Sequence, residues 1–232
     1  MRIRPTLATL ALIIIALRPS IAEAQLWRNG TFDGFSALSS EINTEVSDSR
    51  VYDNFVASGS GWRVTSLFGE FLTDFEANAA YWEIRSGVSE GLGGTLLFSG
   101  TNSIIAVADL GDALGLNRRL YTVGGFSPFV LSPGEYWLTI APADAGSGRA
   151  YAGTTSGDAA INALGDAQSF WDSQFFGISF GDTSTQLEGF SDFAYGLNGT
   201  EVSTVPEPST VLLLATGLGV LALGARRRRK TG

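Results

Sequence analysis

From Val51 to Leu197, short apolar runs recur between clusters of Gly, Ser, Asp and Pro, without any long stretch of helical periodicity. Runs of this length, bounded by turn residues, bury their apolar faces by pairing with one another as strands. Strands are predicted at Val51–Ala57, Trp62–Phe71, Ala80–Arg85, Thr95–Ser99, Ser103–Ala108, Leu120–Gly124, Pro128–Leu131, Glu135–Ala141, Phe175–Phe180 and Phe193–Leu197. Turns such as Ser58-Gly59-Ser60-Gly61, Gly93-Gly94 and Ser132-Pro133-Gly134 separate them. Alternation is clearest where Tyr136, Leu138 and Ile140 share one face and Glu135, Trp137 and Thr139 the other, and where Trp82 and Ile84 oppose Glu83 and Arg85. Period-two patterning of this kind marks half-buried antiparallel strands. The expected fold is all-β: an antiparallel β-sandwich, jelly-roll-like, over residues 25–204. The polar stretch 25–49 predicts an opening strand and loop. Thr154–Ser169, rich in Ala and Gly, predicts a long loop or a short helix.

Charge divides the chain into a body and two ends. Eight of the 15 basic residues (Arg2, Arg4, Arg18, Arg226, Arg227, Arg228, Arg229 and Lys230) lie outside the middle, as do only Glu23 and Glu207 of the 23 acidic ones. The middle therefore holds seven basic and 21 acidic residues, and a body so acidic repels nucleic acid and anionic lipid. Cys and His are both absent, which removes disulfides, thiolate and imidazole metal sites, and Ser-His-Asp or Cys-His catalysis.

Both ends are hydrophobic. Arg2 and Arg4 precede an apolar run, Leu7 to Leu17, followed by Ala22-Glu23-Ala24 before Gln25. This is the three-part pattern of a signal peptide over residues 1–24, with cleavage expected between Ala24 and Gln25. The eleven apolar residues would rise only ~17 Å as a helix, too short for a permanent span. At the other end stand Val205-Pro206-Glu207-Pro208-Ser209, an apolar run to Ala225, and the basic tail Arg226, Arg227, Arg228, Arg229 and Lys230. Residues 210–225 predict a short transmembrane helix, with the basic tail held in the cytoplasm and the acidic body outside. The two prolines favour extended backbone around Glu207, open to a processing enzyme.

This ordered trio over residues 205–230 resembles the PEP-CTERM sorting signal. The resemblance implies recognition by an inner-membrane exosortase, cleavage near Pro206-Glu207-Pro208, and delivery to the cell surface or matrix of a Gram-negative bacterium that makes exopolysaccharide. Glu207 is then part of a recognition motif, with Val205, Pro206 and Pro208. In the body, Val51-Tyr52-Asp53-Asn54-Phe55, Trp82-Glu83-Ile84-Arg85-Ser86-Gly87-Val88, Gly93-Gly94-Thr95-Leu96-Leu97 and Leu131-Ser132-Pro133-Gly134-Glu135-Tyr136-Trp137-Leu138 are similar to the choice-of-anchor extracellular domains, especially type R. That family assigns no catalytic residues.

Two ligand sites are candidates in the body. Trp137, alternating against a core-facing set, is the best of the five tryptophans for stacking on a sugar ring; the competing reading is core packing. Asp109 and Asp112, beside Gly111, are candidate ligands for structural calcium, as is Asp53 with Asn54; the competing reading is solvated surface charge. A glycosidase would need two carboxyl groups facing each other at roughly 5–10 Å. The expected function is that of an exported, non-catalytic surface or matrix protein, processed by signal peptidase and exosortase and passing transiently through the inner membrane. Its association would be with exopolysaccharide and not with nucleic acid. A carbohydrate-binding module is the alternative, a secreted glycoside hydrolase the third reading, and no cofactor beyond calcium is expected.

Overall fold

The computed structural model describes residues 23–202, apart from 144, 145, 147, 167, 190 and 191. The signal-peptide residues through Ala22, the Val205–Pro208 motif, the expected span and the basic tail lie outside the described residues. Among the described residues, no helix is long and apolar enough to cross a membrane.

The body is all-β and antiparallel. Its strands are β1 (Ala24–Arg28), β2 (Phe32–Ser39), β3 (Ser49–Ala57), β4 (Trp62–Thr73), β5 (Ala79–Ser86), β6 (Thr95–Ala113) and β7 (Leu116–Val123). They continue as β8 (Phe129–Leu131), β9 (Gly134–Ala143), β10 (Ala150–Thr155), β11 (Ser169–Ser173), β12 (Ile178–Asp182) and β13 (Tyr195–Glu201), with one turn of helix, α1 (Thr183–Gln186), after β12. Asp182 caps that turn by accepting from the Ser184 N–H. The strands form one 13-stranded sheet in the order β1-β13-β4-β7-β6-β5-β9-β3-β11-β12, with β10 bridging β4 and β2, and β8 on β4. β4 is the hub, pairing with β13, β10, β7 and β8 along its length.

The sheet folds over itself at β6. Residues 95–103 of that strand pair with β5, and residues 104–113 pair with β7, so one strand belongs to both halves. The inner faces of the halves meet in a single core, and its centre is aromatic. Phe55 of β3 stacks on Trp27 of β1 at 5.1 Å and on Trp62 of β4 at 5.9 Å between ring centroids, with Tyr136 of β9 at 5.8 Å. All four residues are buried. Stacked and tilted rings at these separations add about 0.5–1.5 kcal/mol per pair beyond their apolar burial.

Four acidic residues are also buried, and each is fully engaged. Glu70 of β4 accepts from Arg28 of β1 at 3.0 Å, from Arg118 of β7 at 2.6 Å and from the Phe32 N–H of β2 at 3.2 Å. Glu41 accepts from Arg149 at 2.6 Å and from the Ala150 N–H at 2.7 Å, fastening the β2–β3 connection to β10. Asp53 accepts from Asn29 Nδ2, from the Phe193 N–H and from the Asn54 N–H. Glu83 is described with the candidate site. Removing the partner of a buried charge is strongly destabilising, so these groups select a register more than they drive folding.

The structure departs from the sequence expectations at five places. β6 is one strand where two are expected at Thr95–Ser99 and Ser103–Ala108, because Gly100 pairs with Trp82 within the ladder. The polar stretch 25–49 holds two strands, β1 and β2, whose neighbours lie far along the chain. β10 and β11 occupy 150–155 and 169–173; the former is built largely of small residues, and the segment between them is a connection tied to β1 by the Arg28–Ile161 bridge. β12 begins at Ile178, not Phe175, because Phe175 and Phe176 form the exposed turn from β11. Finally, β6 joins what a sandwich would keep as two separate sheets into one continuous sheet.

Both ends of the body emerge at one pole. Ala24 lies opposite Gly199, and Glu201 lies opposite Trp62, the first residue of β4. The far end of β4, Thr73, pairs with Asn117 beside the β6–β7 turn; at ~3.3 Å per residue that pole is roughly 36 Å away. We predict that Phe55→Ala lowers unfolding stability by about 3–5 kcal/mol, measured by denaturant titration followed through tryptophan fluorescence. An effect below about 1 kcal/mol would show that the halves do not depend on this stack.

Candidate functional site

A group of interacting polar side chains lies on the outward face of β3, β5, β9 and β11. Alternation along β5 places Tyr81, Glu83 and Arg85 on that face, since Trp82 and Ile84 point into the core. Strand register then brings Thr139 opposite Glu83, Trp137 opposite Arg85, and Asp172 opposite Arg50. Glu83 is the centre. Its carboxylate accepts from the Tyr52 hydroxyl at 2.9 Å and makes short hydrogen bonds with the Tyr81 hydroxyl and the Arg85 Nε. Arg85 also donates to the Gly93 carbonyl at 2.9 Å and lies over the Tyr52 and Phe180 rings. Arg50 lies over the Tyr81 ring and pairs with Asp48 at 2.8 Å and with Asp172 at 3.7 Å.

These neighbours set the ionisation of the group. Burial by itself would raise the Glu83 carboxyl, but the donors Arg85, Tyr81 and Tyr52 outweigh it and hold Glu83 below the usual carboxylate range. Burial, with the charge of Glu83, pushes Asp172 up against the opposing pull of Arg50. Tyr81 is pushed up to about 12, by burial and by its bond to Glu83. Two carboxyls are thus driven apart, an arrangement that can serve acid–base chemistry. Here, however, Tyr81 takes one oxygen of Glu83 while Tyr52 and Arg85 take the other, so Glu83 is committed to holding β3 and β5 together.

The sequence candidates fall as follows. Trp137 is only 4% exposed and fills a second apolar cluster with Tyr52 and Val88, against Phe170 and Phe180. This burial favours core packing over sugar stacking: the outward face of β9 is covered by Val88 of the connection after β5 and by Phe180 of β12. Trp27, Trp62, Trp82 and Trp171 are buried as well. Asp109 pairs with Arg119 at 2.5 Å and accepts from the Gly111 N–H at 2.9 Å; that N–H first, then the guanidinium, hold its carboxyl below the usual range. The guanidinium on the Asp109 carboxylate competes with a cation there, and Asp112 lies opposite Asn117 in the β6–β7 ladder. Asp53 is fully buried, with its oxygens occupied by N–H donors, and burial first and Asp192 second raise its carboxyl. No group of three acidic side chains placed to hold a metal occurs among the described residues. A shallow depression of about 220 Å³ beside the β6–β7 turn is lined by Phe35, Ser36, Ala37, Leu72, Leu114, Leu116 and Tyr151, with no carboxylate.

The polar face around Glu83 was only half visible in the sequence. Tyr81, Glu83 and Arg85 share a period-two face, but Arg50, Tyr52 and Asp172 come from strands that only the long-range register places beside them. At the junction where signal-peptide cleavage is expected, Ala24 and Gln25 begin β1 opposite Gly199 and Asn198.

The comparisons concern the C-terminal end. Residues 204–229 match the PEP-CTERM protein-sorting motif, immediately after β13 closes the body at Glu201. No curated protein and no solved structure matches the chain significantly. Fold and motif together define an all-β protein carrying a sorting tail; the motif supports export through a membrane-anchored precursor and processing by an exosortase.

We predict that Glu83→Gln destabilises the body by roughly 2–3 kcal/mol at neutral pH, less than a fully buried pair because Arg85 keeps contact with water. Because folding depresses the Glu83 carboxyl, its contribution is present above the unfolded value of about 4.3 and is lost as pH falls through the lower folded one. Stability curves of the two proteins should therefore converge in acid. A constant gap at every pH would contradict this role.

Proposed function

We propose that this chain is an exported bacterial surface or extracellular-matrix protein whose β-body is non-catalytic cargo with a structural or interaction role. Signal peptidase removes residues 1–24, and the tail holds the precursor in the inner membrane until an exosortase cleaves near Pro206-Glu207-Pro208. The mature protein then associates with exopolysaccharide at the cell surface, with no part for nucleic acid. The observation that carries this reading is the sorting motif over residues 204–229.

The non-catalytic reading draws on the absence of His and Cys and on the engagement of Glu41, Asp53, Glu70 and Glu83 in structural bonds. A sandwich-like domain of the choice-of-anchor type R class is the family this reading favours for the body. The sugar-binding alternative loses its support with the burial of all five tryptophans. Fractionation of cells with and without the cognate exosortase tests the proposal. With the enzyme, a shortened product is expected in the surface or secreted fraction; without it, the longer form stays in the membrane. An unchanged membrane-bound product in both strains would overturn it.

A further inference from the structure

We propose that the free edge of β6 is a self-assembly surface, pairing antiparallel with the same strand of a second copy about a two-fold axis near Val107. The edge follows from the hydrogen bonds. At the crossing, the Ile104 N–H donates to the Asn78 carbonyl beside β5, whereas the Ser103 carbonyl accepts from the Gly124 N–H beside β7. β5 and β7 therefore flank β6 on opposite sides. Beyond Ile104 the ladder with β5 has ended, and among the described residues β7 is the sole strand paired with 104–113. The side vacated by β5 is an open sheet edge, able to template another strand.

Along most of its length this edge lacks the charge and proline that usually blunt one. From Thr95 to Ala108 there is no charge and no proline. Ile105, Val107 and Leu110 are 59%, 50% and 38% exposed. Ladder irregularities at Ile104/Ala106 and Asp109/Asp112 bracket a regular segment, Ala106–Asp109, and the second bends the strand away beyond it. A partner strand can therefore lie along 105–109 without meeting β5.

Charge and shape select a second copy as the occupant. Two bodies with 21 acidic and seven basic residues each repel over most of their surfaces, but not along this uncharged strip. A two-fold axis at Val107 sets Asp109 against Ile105 of the other copy, so no acid faces an acid, and Asp109 already carries Arg119. Edges that capture peptides read alternate side chains in flanking pockets. Residues 105–112 are open on both faces and offer no such walls, so the favoured partner brings its own apolar edge. Closed two-fold pairing also leaves no open end for filament growth.

The test uses the exported protein as released from cells. Sedimentation velocity over a concentration series should show a monomer–dimer equilibrium, and both Val107→Lys and Ile105→Lys should shift it to monomer with thermal unfolding unchanged. Because the chain has no cysteine, a nitroxide on Val107→Cys reports one site; its spectrum should show dipolar broadening that disappears on dilution. A monomer at every concentration, or a dimer that survives both lysine variants in folded protein, overturns the proposal.

Discussion

The stack of Trp27, Phe55 and Trp62 is the interaction on which the remaining structure depends. The thirteen-stranded sheet has an apolar inner face to hide, and folding it at β6 brings one half's β3 and β9 against the other half's β1, β4 and β13. Phe55 stands where these strands meet, touching rings from β1, β4 and β9. Full burial of such side chains stabilises by about 1.5–3 kcal/mol each, more than a buried ion pair contributes after desolvation. The buried acids do something different. Glu41 and Glu70 join strands that are distant in sequence, and a shift in register would strand each charge without its arginine. Driving force and specificity thus come from different residues, and six of the body's seven arginines form ion pairs.

Alternation made the central strands legible. β3, β4, β5 and β9 carry enough apolar residues to show a strand from sequence alone, and their boundaries follow glycine and proline. β1, β2, β10 and β11 were hidden or blurred because much of their burial comes from long-range pairing rather than from a patterned face of their own. Trp137 shows the limit most clearly. Period two assigns it to the face opposite Tyr136, Leu138 and Ile140, and it lies there. What covers that face is Val88 and Phe180, which reach it through the topology. The arginine partners of Glu70 lie 42 and 48 residues away, beyond any local pattern.

The sorting motif over residues 204–229 is carried by side-chain type and order, so it could be read without a fold. The body's role resides in its surface. Of the side chains first suspected of ligand chemistry there, Trp137 and Asp53 are buried, while Asp109 and Asp112 stay exposed on β6. The exposed apolar strip of β6 is unexplained by core packing, and on an acidic protein it is the natural place for contact between copies.

The claim that the ends are transport addresses and the β-body their cargo is tested most directly by intact-mass and terminal-peptide analysis of the surface-released protein. A chain that begins at Gln25 and ends within Pro206-Glu207-Pro208 is the predicted result. A mature protein that retains both residues 1–24 and residues 209–232 would contradict it.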